Sequence, residues 1–150
     1  MQYRALYFTV LGGLIFLVAA SLGNGIADRP LDYSDWTYRA FRGVCHQLPE
    51  RSFHIDGVPM AVNARCFGIF SGLLAGWLLI PVASARLFRQ GWPGILLGCA
   101  VAVNVMDFSA GNLWVWNSSN FSRFFLGAFL GVGVVCMLAD RFIKTTNKTD

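Results

Sequence analysis

The chain has 150 residues, of which 55% are hydrophobic and 13% are charged, with a formal net charge of +4. A typical soluble domain carries about 25% charged residues, so this composition excludes a disordered segment, a nucleic-acid-binding tail and an ordinary cytosolic enzyme. The sixteen glycines and thirteen phenylalanines are typical of membrane helices, which pack through small residues. The composition therefore predicts a polytopic membrane protein.

Four charge-poor stretches predict four membrane-spanning helices, since one span needs about 20 apolar residues. They cover approximately residues 5–26, 66–85, 92–108 and 123–140. The predicted fold is all-α: an integral membrane bundle of four transmembrane helices with a long structured external loop at residues 28–65. Residues 1–150 are predicted to form a single membrane domain.

The first stretch also fits a cleavable signal peptide. Arg4 precedes an apolar core that reaches the small residues Ala19, Ala20 and Ser21, which is the order of a secretory signal. The apolar run continues to Ile26 and is longer than a usual signal core, which favours a retained helix.

Both histidines of the chain and two of its four cysteines fall within residues 45–66. Cys45 lies in the external loop, and Cys66 lies at the start of the second span. Segment 33–44 of the loop mixes aromatic and charged residues, which predicts an amphipathic helix lying on the membrane surface. Pro49 and Pro59 predict turns after that helix. The loop is therefore expected to be structured and to hold the functional site.

Basic residues near the ends of the spans predict the orientation of the chain, because cytoplasmic loops are rich in lysine and arginine. Those assigned to one side are Arg4, Arg86, Arg89, Arg141, Lys144 and Lys148. This side is predicted to be the cytoplasm. The chain is thus expected in the cytoplasmic (inner) membrane, with both termini cytoplasmic.

Glycines recur every four residues along the spans and predict close helix packing. These stripes comprise Gly68, Gly72 and Gly76 in the second span, Gly94 and Gly98 in the third, and Gly127 and Gly131 in the fourth. Packing within the chain is favoured over a homo-oligomer contact, and Asn104 is expected to hydrogen-bond a neighbouring helix. The expected partners are membrane lipid and a protein partner or second copy bound through the stripes, with no nucleic acid.

From Cys45 onward, the chain resembles a family of small prokaryotic membrane proteins classed only as a domain of unknown function. The family pattern is C-H-Q-x-x-x-R-S-F, then C-x-R-C-x-G, then a later Asp and an N-x-x-R-F element. The matching residues are Cys45, His46, Gln47, Arg51, Ser52, Phe53, Arg65, Cys66, Gly68, Asp107, Asn120, Arg123 and Phe124. Asn63 stands where the pattern has the first cysteine of C-x-R-C. The resemblance implies membrane topology and a site in this region, and it implies no reaction.

Three interpretations of the two loop cysteines compete. The first is a metal site, because thiolate and imidazole are good ligands for a transition metal such as zinc, the candidate cofactor. Its ligands would be Cys45, His46, His54 and Cys66, with Asn63 a poor substitute for a further cysteine. Binding of a metal or of a partner protein by this loop is the favoured function.

The second interpretation is a structural Cys45–Cys66 disulfide in an assembly subunit. A closed loop of about 22 residues would contribute about 3 kcal/mol. The third is a membrane thiol-disulfide oxidoreductase working with a quinone, in which Arg51 or Arg65 would lower the pKa of a thiol. The absence of a C-x-x-C pair weighs against this third interpretation. The sequence leaves open whether the protein is an enzyme.

A second set of polar residues is expected at the same face of the membrane. It comprises Gln47, Arg51, Ser52, Arg65, Asp107, Asn120 and Arg123. Charges at this depth need partners, so an interfacial network of pairs is favoured. The alternative is an anion-binding site, for example for a lipid phosphate.

Overall fold

The computed structural model describes residues 2–23, 35–81, 92–113 and 118–146. These residues are mostly helical. The helices are α1 (Gln2–Ser21), α2 (Trp36–Phe41), α3 (Ala64–Leu79), α4 (Trp92–Asn112) and α5 (Asn120–Thr146). Between α2 and α3 lie a 3₁₀ turn (Pro49–Arg51) and two short antiparallel strands, β1 (His54–Ile55) and β2 (Val58–Pro59), in which His54 pairs with Pro59 and Ile55 with Val58.

Two of the described helices are long and apolar enough to cross a bilayer, over Trp92–Gly111 in α4 and Asn120–Ala139 in α5. Two shorter apolar helices cover Ala5–Ser21 and Ala64–Leu79. At 1.5 Å per residue, the 16 residues of α3 extend about 24 Å, less than the roughly 30 Å of a hydrocarbon core. The four-span arrangement therefore stays a prediction.

The ends of two predicted spans differ from the helices. The second span was predicted to reach residue 85, but α3 ends at Leu79. Proline lacks the N–H that would continue the helical hydrogen bonds, and Pro81 follows two residues later. Residues 24–26 of the first predicted span and 82–85 of the second lie outside the described residues.

The closest helix–helix contact joins α3 to α5 through the predicted glycines. A Cβ atom added at Gly68 would overlap the carbonyl of Phe124, and one added at Gly72 would overlap the carbonyl of Ala128. From the other side, a Cβ at Gly127 would overlap the carbonyl of Arg65. Gly131 meets α3 in the same way, whereas Gly76 faces the side chain of Val135. The two backbones thus approach closely, which gives strong dispersion contacts without help from water.

Helix α4 packs against α5 more loosely. Nothing lies within 4 Å of a Cβ added at Gly94 or Gly98 among the described residues, so the expectation that these glycines form a packing stripe within the chain is wrong for the described part. The side chain of Asn104 instead joins the helices, since its Nδ2 donates to the carbonyl of Leu126 at 2.9 Å. This hydrogen bond confirms the prediction made for Asn104.

Residues between 35 and 63 pack against the end of α1 and the beginning of α3. The predicted surface helix 33–44 is shorter, spanning Trp36–Phe41, and residues 33 and 34 lie outside the described residues. Tyr38 and Phe41 are three positions apart and share a helix face, and both are buried in one core with Val62. The helix therefore belongs to the packed core, although the side chain of Trp36 remains exposed.

Substituting Gly72 by alanine should destabilise the protein, because the added methyl group overlaps the backbone of α5. Overpacking of this kind costs about 1–3 kcal/mol. Gly98→Ala is the matched control, since it adds the same methyl group where the described structure has open space. Unfolding by denaturant, followed through tryptophan fluorescence, should show the loss for Gly72→Ala alone. Equal stability of the two variants would contradict the α3–α5 contact.

Candidate functional site

The two loop cysteines meet at the beginning of α3. Cys45 follows α2 and is 5% exposed, while Cys66 lies in the first turn of α3 and is partly buried. Both thiols are free, and Cys66 is close enough to Cys45 to act on the ionisation of its thiol. The backbone N–H of Asn63 also donates to the Sγ of Cys45 at 3.2 Å. Two thiols that are distant in sequence therefore form one pair.

The surroundings of Cys45 favour its thiolate. The pKa of Cys45 is lowered from 9.0 to about 6, chiefly by the neighbouring thiol of Cys66. Burial opposes this shift, whereas backbone N–H groups of Asn63 and Gln47 and the charge of His46 add to it. Donors directed at a sulfur stabilise its charged form, and the thiolate is the nucleophilic form of cysteine. Cys45 is thus mainly a thiolate at neutral pH.

Asn63 and Gln47 hold the chain around Cys45. The Oδ1 of Asn63 accepts hydrogen bonds from the N–H of Leu48 at 2.8 Å and from the hydroxyl of Ser52 at 3.2 Å. The Nε2 of Gln47 donates to the carbonyls of Tyr38 and Ala61, both at 2.8 Å. Sequence reasoning treated Asn63 only as a missing cysteine and did not find this role.

Asn120 connects this loop to the start of α5. Its Nδ2 donates to the carbonyl of Ser52 at 3.0 Å, and its Oδ1 accepts from Nη1 of Arg123 at 3.1 Å. Arg123 also donates from Nε to the hydroxyl of Ser118 at 3.0 Å. The guanidinium of Arg123 is therefore held by two side chains of its own segment, and Asn120 fixes that segment against the loop.

Arg65 forms an ion pair with Asp107 of α4. The side chain of Asp107 is 8% exposed and that of Arg65 is 24% exposed, so the carboxylate is the more deeply buried partner. The Nε of Arg65 is buried and has no hydrogen-bond partner in the described part of the chain. The pair joins α3 to α4 directly beside Cys66.

The thiol pair and the charged residues border a common cavity of about 570 Å³. The residues that line it are Val44, Cys45, His46, Leu48, Arg51, Asn63, Arg65, Cys66, Asp107, Phe108, Gly111, Ser118 and Arg123. A second cavity of about 480 Å³ is almost wholly apolar and is lined by residues such as Phe16, Trp36 and Phe70. Cys66 borders both cavities.

The four residues predicted to bind a metal are not gathered into one group. His46 borders the first cavity but is exposed, and His54 is exposed on β1 and borders neither cavity. Across residues 2–23, 35–81, 92–113 and 118–146, no three His, Cys, Asp or Glu side chains are placed to hold a metal ion. Of the four predicted ligands, His54 alone lines neither cavity, and no group of three ligands forms among the described residues.

Comparison with known proteins places these residues in a family. Residues 45–137 match a family described as a predicted membrane protein, DUF2085. An uncharacterized protein of Methanocaldococcus jannaschii is 52% identical over 114 residues, which cover 74% of this chain and 71% of that protein. No solved structure matches the chain. The family match begins at Cys45 and includes Cys66, Asp107 and Arg123.

The lowered pKa of Cys45 predicts the pH dependence of its alkylation. In a chain lacking Cys99 and Cys136, reaction of Cys45 with a small uncharged reagent should reach half its maximal rate near pH 6, because the thiolate forms there. Cys66→Ser keeps a hydroxyl donor and should retain this midpoint. Cys66→Ala removes the donor and should move the midpoint toward 9. Peptide mass spectrometry measures both rates, and identical profiles for the two variants would refute the role of Cys66.

Asp107→Asn should destabilise the protein, because it leaves the positive charge of Arg65 without its carboxylate. Breaking a fully buried pair costs about 3–5 kcal/mol, and the partial exposure of Arg65 reduces the expected loss to about 2 kcal/mol. Asp56→Asn, at an exposed position of the hairpin turn, is the control. Replacing both partners, as Arg65→Met with Asp107→Leu, should restore most of the stability in denaturant unfolding. A double variant as unstable as Asp107→Asn would contradict this pairing.

Proposed function

Since the chain belongs to the DUF2085 family of predicted membrane proteins, we propose that it is a membrane thiol-disulfide redox protein whose redox centre is Cys45 with Cys66. The observation that carries the proposal is the position of the two free thiols on one cavity, where the neighbouring Cys66 lowers the pKa of Cys45 to about 6. Both sulfurs border one cavity. A substrate that enters this cavity meets a reactive thiolate and a second thiol together.

The chemistry of such a pair is thiol-disulfide exchange. The thiolate of Cys45 attacks one sulfur of a substrate disulfide, the S–S bond breaks, and the first substrate thiolate leaves. Cys66 then loses its proton and attacks the sulfur of Cys45, which releases the second substrate thiolate. After protonation, one disulfide has been reduced to two thiols, and two protein thiols have been oxidised to one disulfide. The reverse reaction oxidises a substrate dithiol.

The pKa of Cys45 suits this role. Nucleophilicity falls as thiol pKa falls, so the best attacking thiol has a pKa near the ambient pH. A value of about 6 leaves Cys45 ionised at neutral pH and still nucleophilic. Cys66 acts as the resolving thiol, because it is the thiol that neighbours the thiolate of Cys45. This division of roles favours the redox interpretation over a purely structural disulfide.

The arrangement of ligands supports redox chemistry rather than metal binding. A tetrahedral zinc site with an open position needs three protein ligands. Cys45 and Cys66 supply two, and the described residues place no third His, Cys, Asp or Glu beside them. His46 and His54 are exposed. Zinc binding predicts a different result in the redox titration, namely stoichiometric zinc that protects both thiols.

A quinone is an oxidant of suitable class for this dithiol within a membrane. Oxidation of the two thiols to a disulfide gives two electrons and two protons, which convert a quinone into a quinol. The apolar cavity of about 480 Å³ supports this part of the proposal, because Cys66 borders it and its other walls include Phe16, Trp36 and Phe70. Cys66 thus faces both a polar and an apolar cavity.

The proposal includes four membrane crossings with both termini in the cytoplasm. The two longer helices, α4 and α5, each hold an 18-residue window of spanning hydropathy, and α1 and α3 are the shorter apolar helices. With this arrangement, the thiol pair lies at the outer face, where disulfides form and persist. Large apolar side chains such as Ile95, Met106 and Phe125 are exposed on α4 and α5, as expected for helices that contact lipid.

Titration with mixtures of reduced and oxidised glutathione tests the redox assignment. Mass spectrometry of alkylated peptides should find a reversible Cys45–Cys66 disulfide with a midpoint between about −120 and −270 mV, the range of redox-active pairs. Cys66→Ser should accumulate a mixed disulfide on Cys45, because the resolving thiol is missing. Cys45→Ser should form no such adduct at neutral pH, and Cys99→Ser should behave like the original chain.

Two results would contradict the assignment. A disulfide whose midpoint potential lies below about −300 mV is a structural bond. Stoichiometric zinc that protects both thiols, and that is lost in Cys66→Ser, would establish the metal site instead. Adding a short-chain quinone to the reduced protein completes the experiment, since quinol formation identifies the oxidant.

A further inference from the structure

We infer that the cavity beside the thiols selects disulfides that carry a negatively charged group, either carboxylate or phosphate. This inference rests on the proposed redox function and names its substrate class. Among the described residues, three guanidiniums border the cavity, those of Arg51, Arg65 and Arg123, with Asp107 as the single carboxylate. The formal charge of the lining is therefore +2 with His46 neutral. A thiolate at Cys45 reduces it to +1, which still attracts an anion.

The basic residues are held in place before any ligand arrives. Arg65 is fixed by its ion pair with Asp107. Arg123 is fixed by Ser118 at 3.0 Å and Asn120 at 3.1 Å. A guanidinium that is already oriented loses little rotamer freedom on binding, and its planar fork matches carboxylate and phosphate. The cavity is thus preorganised for an oxyanion.

Within the described residues, the positive charges at this cavity outnumber the negative ones. The positive charges of Arg51 and Arg65 both act on Arg123, while Asp107 and the exposed Glu50 oppose them. Asp107 is already engaged by Arg65. Grouped cations repel one another, and a bound anion relieves that repulsion.

The anion site lies next to the redox centre, because both border the same cavity. Cys45, Cys66 and the three arginines line one cavity of about 570 Å³, which lies within the usual 300–1,000 Å³ of small-molecule sites. A substrate whose anionic group binds an arginine is held next to the thiolate of Cys45. Binding energy away from the sulfurs then orients the disulfide for attack, as in other positioned reactions.

Three small disulfides that differ mainly in charge test the inference. Dithiodiglycolate is anionic, hydroxyethyl disulfide is neutral, and cystamine is cationic. The rate of each with the reduced full-length protein in phosphatidylcholine nanodiscs is divided by its rate with a free thiol. The anionic compound should then react at least about tenfold faster than the cationic one, since charged clefts raise local concentrations by that factor or more. High salt should reduce the preference.

Substitutions assign the preference to the cavity. Arg51→Gln and Arg123→Gln should each lower the anionic-to-cationic ratio several-fold. Arg42→Gln is the matched control, because Arg42 is exposed and does not border the cavity. Arg42→Gln should keep the rates of the original chain with all three disulfides. The side chain of Arg51 is exposed, so Arg51→Gln should unfold in denaturant at the same concentration as the original chain, which separates a lost anion site from a lost fold.

Failure of the anion site and failure of the redox function give different rates with the three disulfides. Equal corrected rates for the three disulfides would overturn the anion site and leave the redox function standing. No reaction with any of them would overturn both. A preference that disappears when phosphatidylglycerol replaces phosphatidylcholine would identify a lipid headgroup as the anion and overturn the substrate assignment. A preference that survives this exchange supports a small anionic disulfide.

Discussion

The close approach of α3 and α5 sets the geometry on which the site depends. Gly72 and Gly127 lie where any side chain would overlap the facing backbone, so the two helices are fixed in distance and register. Their first turns therefore come together. Cys66 stands in the first turn of α3, and Arg123 stands in the first turn of α5. A contact made of glycines deep in the helices thus places a thiol beside a guanidinium at their ends.

The loop completes the site through amide side chains in addition to the apolar core that contains Cys45. Gln47 lies at a backbone φ of +51°, a conformation that is uncommon outside glycine, and its side chain donates to two carbonyls of the surrounding loop. Asn120 ties the carbonyl of Ser52 to α5. Buried polar groups need such partners. The same hydrogen bonds satisfy the loop and fix Cys45 near Cys66.

Sequence reasoning predicted the helices and the neighbourhood of the site better than the contacts within it. The absence of charge predicted the apolar helices, and the spacing of Gly68, Gly72 and Gly76 predicted a packing face, because both signals are local. It did not predict that β1 carries His54 away from the thiols, since two-residue strands leave almost no pattern. The helix predicted over 33–44 spans only Trp36–Phe41, and the burial of Tyr38 was not predicted, since it depends on residues more than twenty positions later.

Asn63 shows why this site favours a pair of thiols. A cysteine at position 63 would add a third soft ligand to the loop and favour a metal. The amide supplies an acceptor instead, which binds the N–H of Leu48 and the hydroxyl of Ser52, while its backbone N–H donates to Cys45. Each of these bonds orders the loop or stabilises a thiolate, and neither effect requires an ion. With cations already bordering the cavity, a dication would add to an existing positive charge, whereas an anionic disulfide would neutralise it.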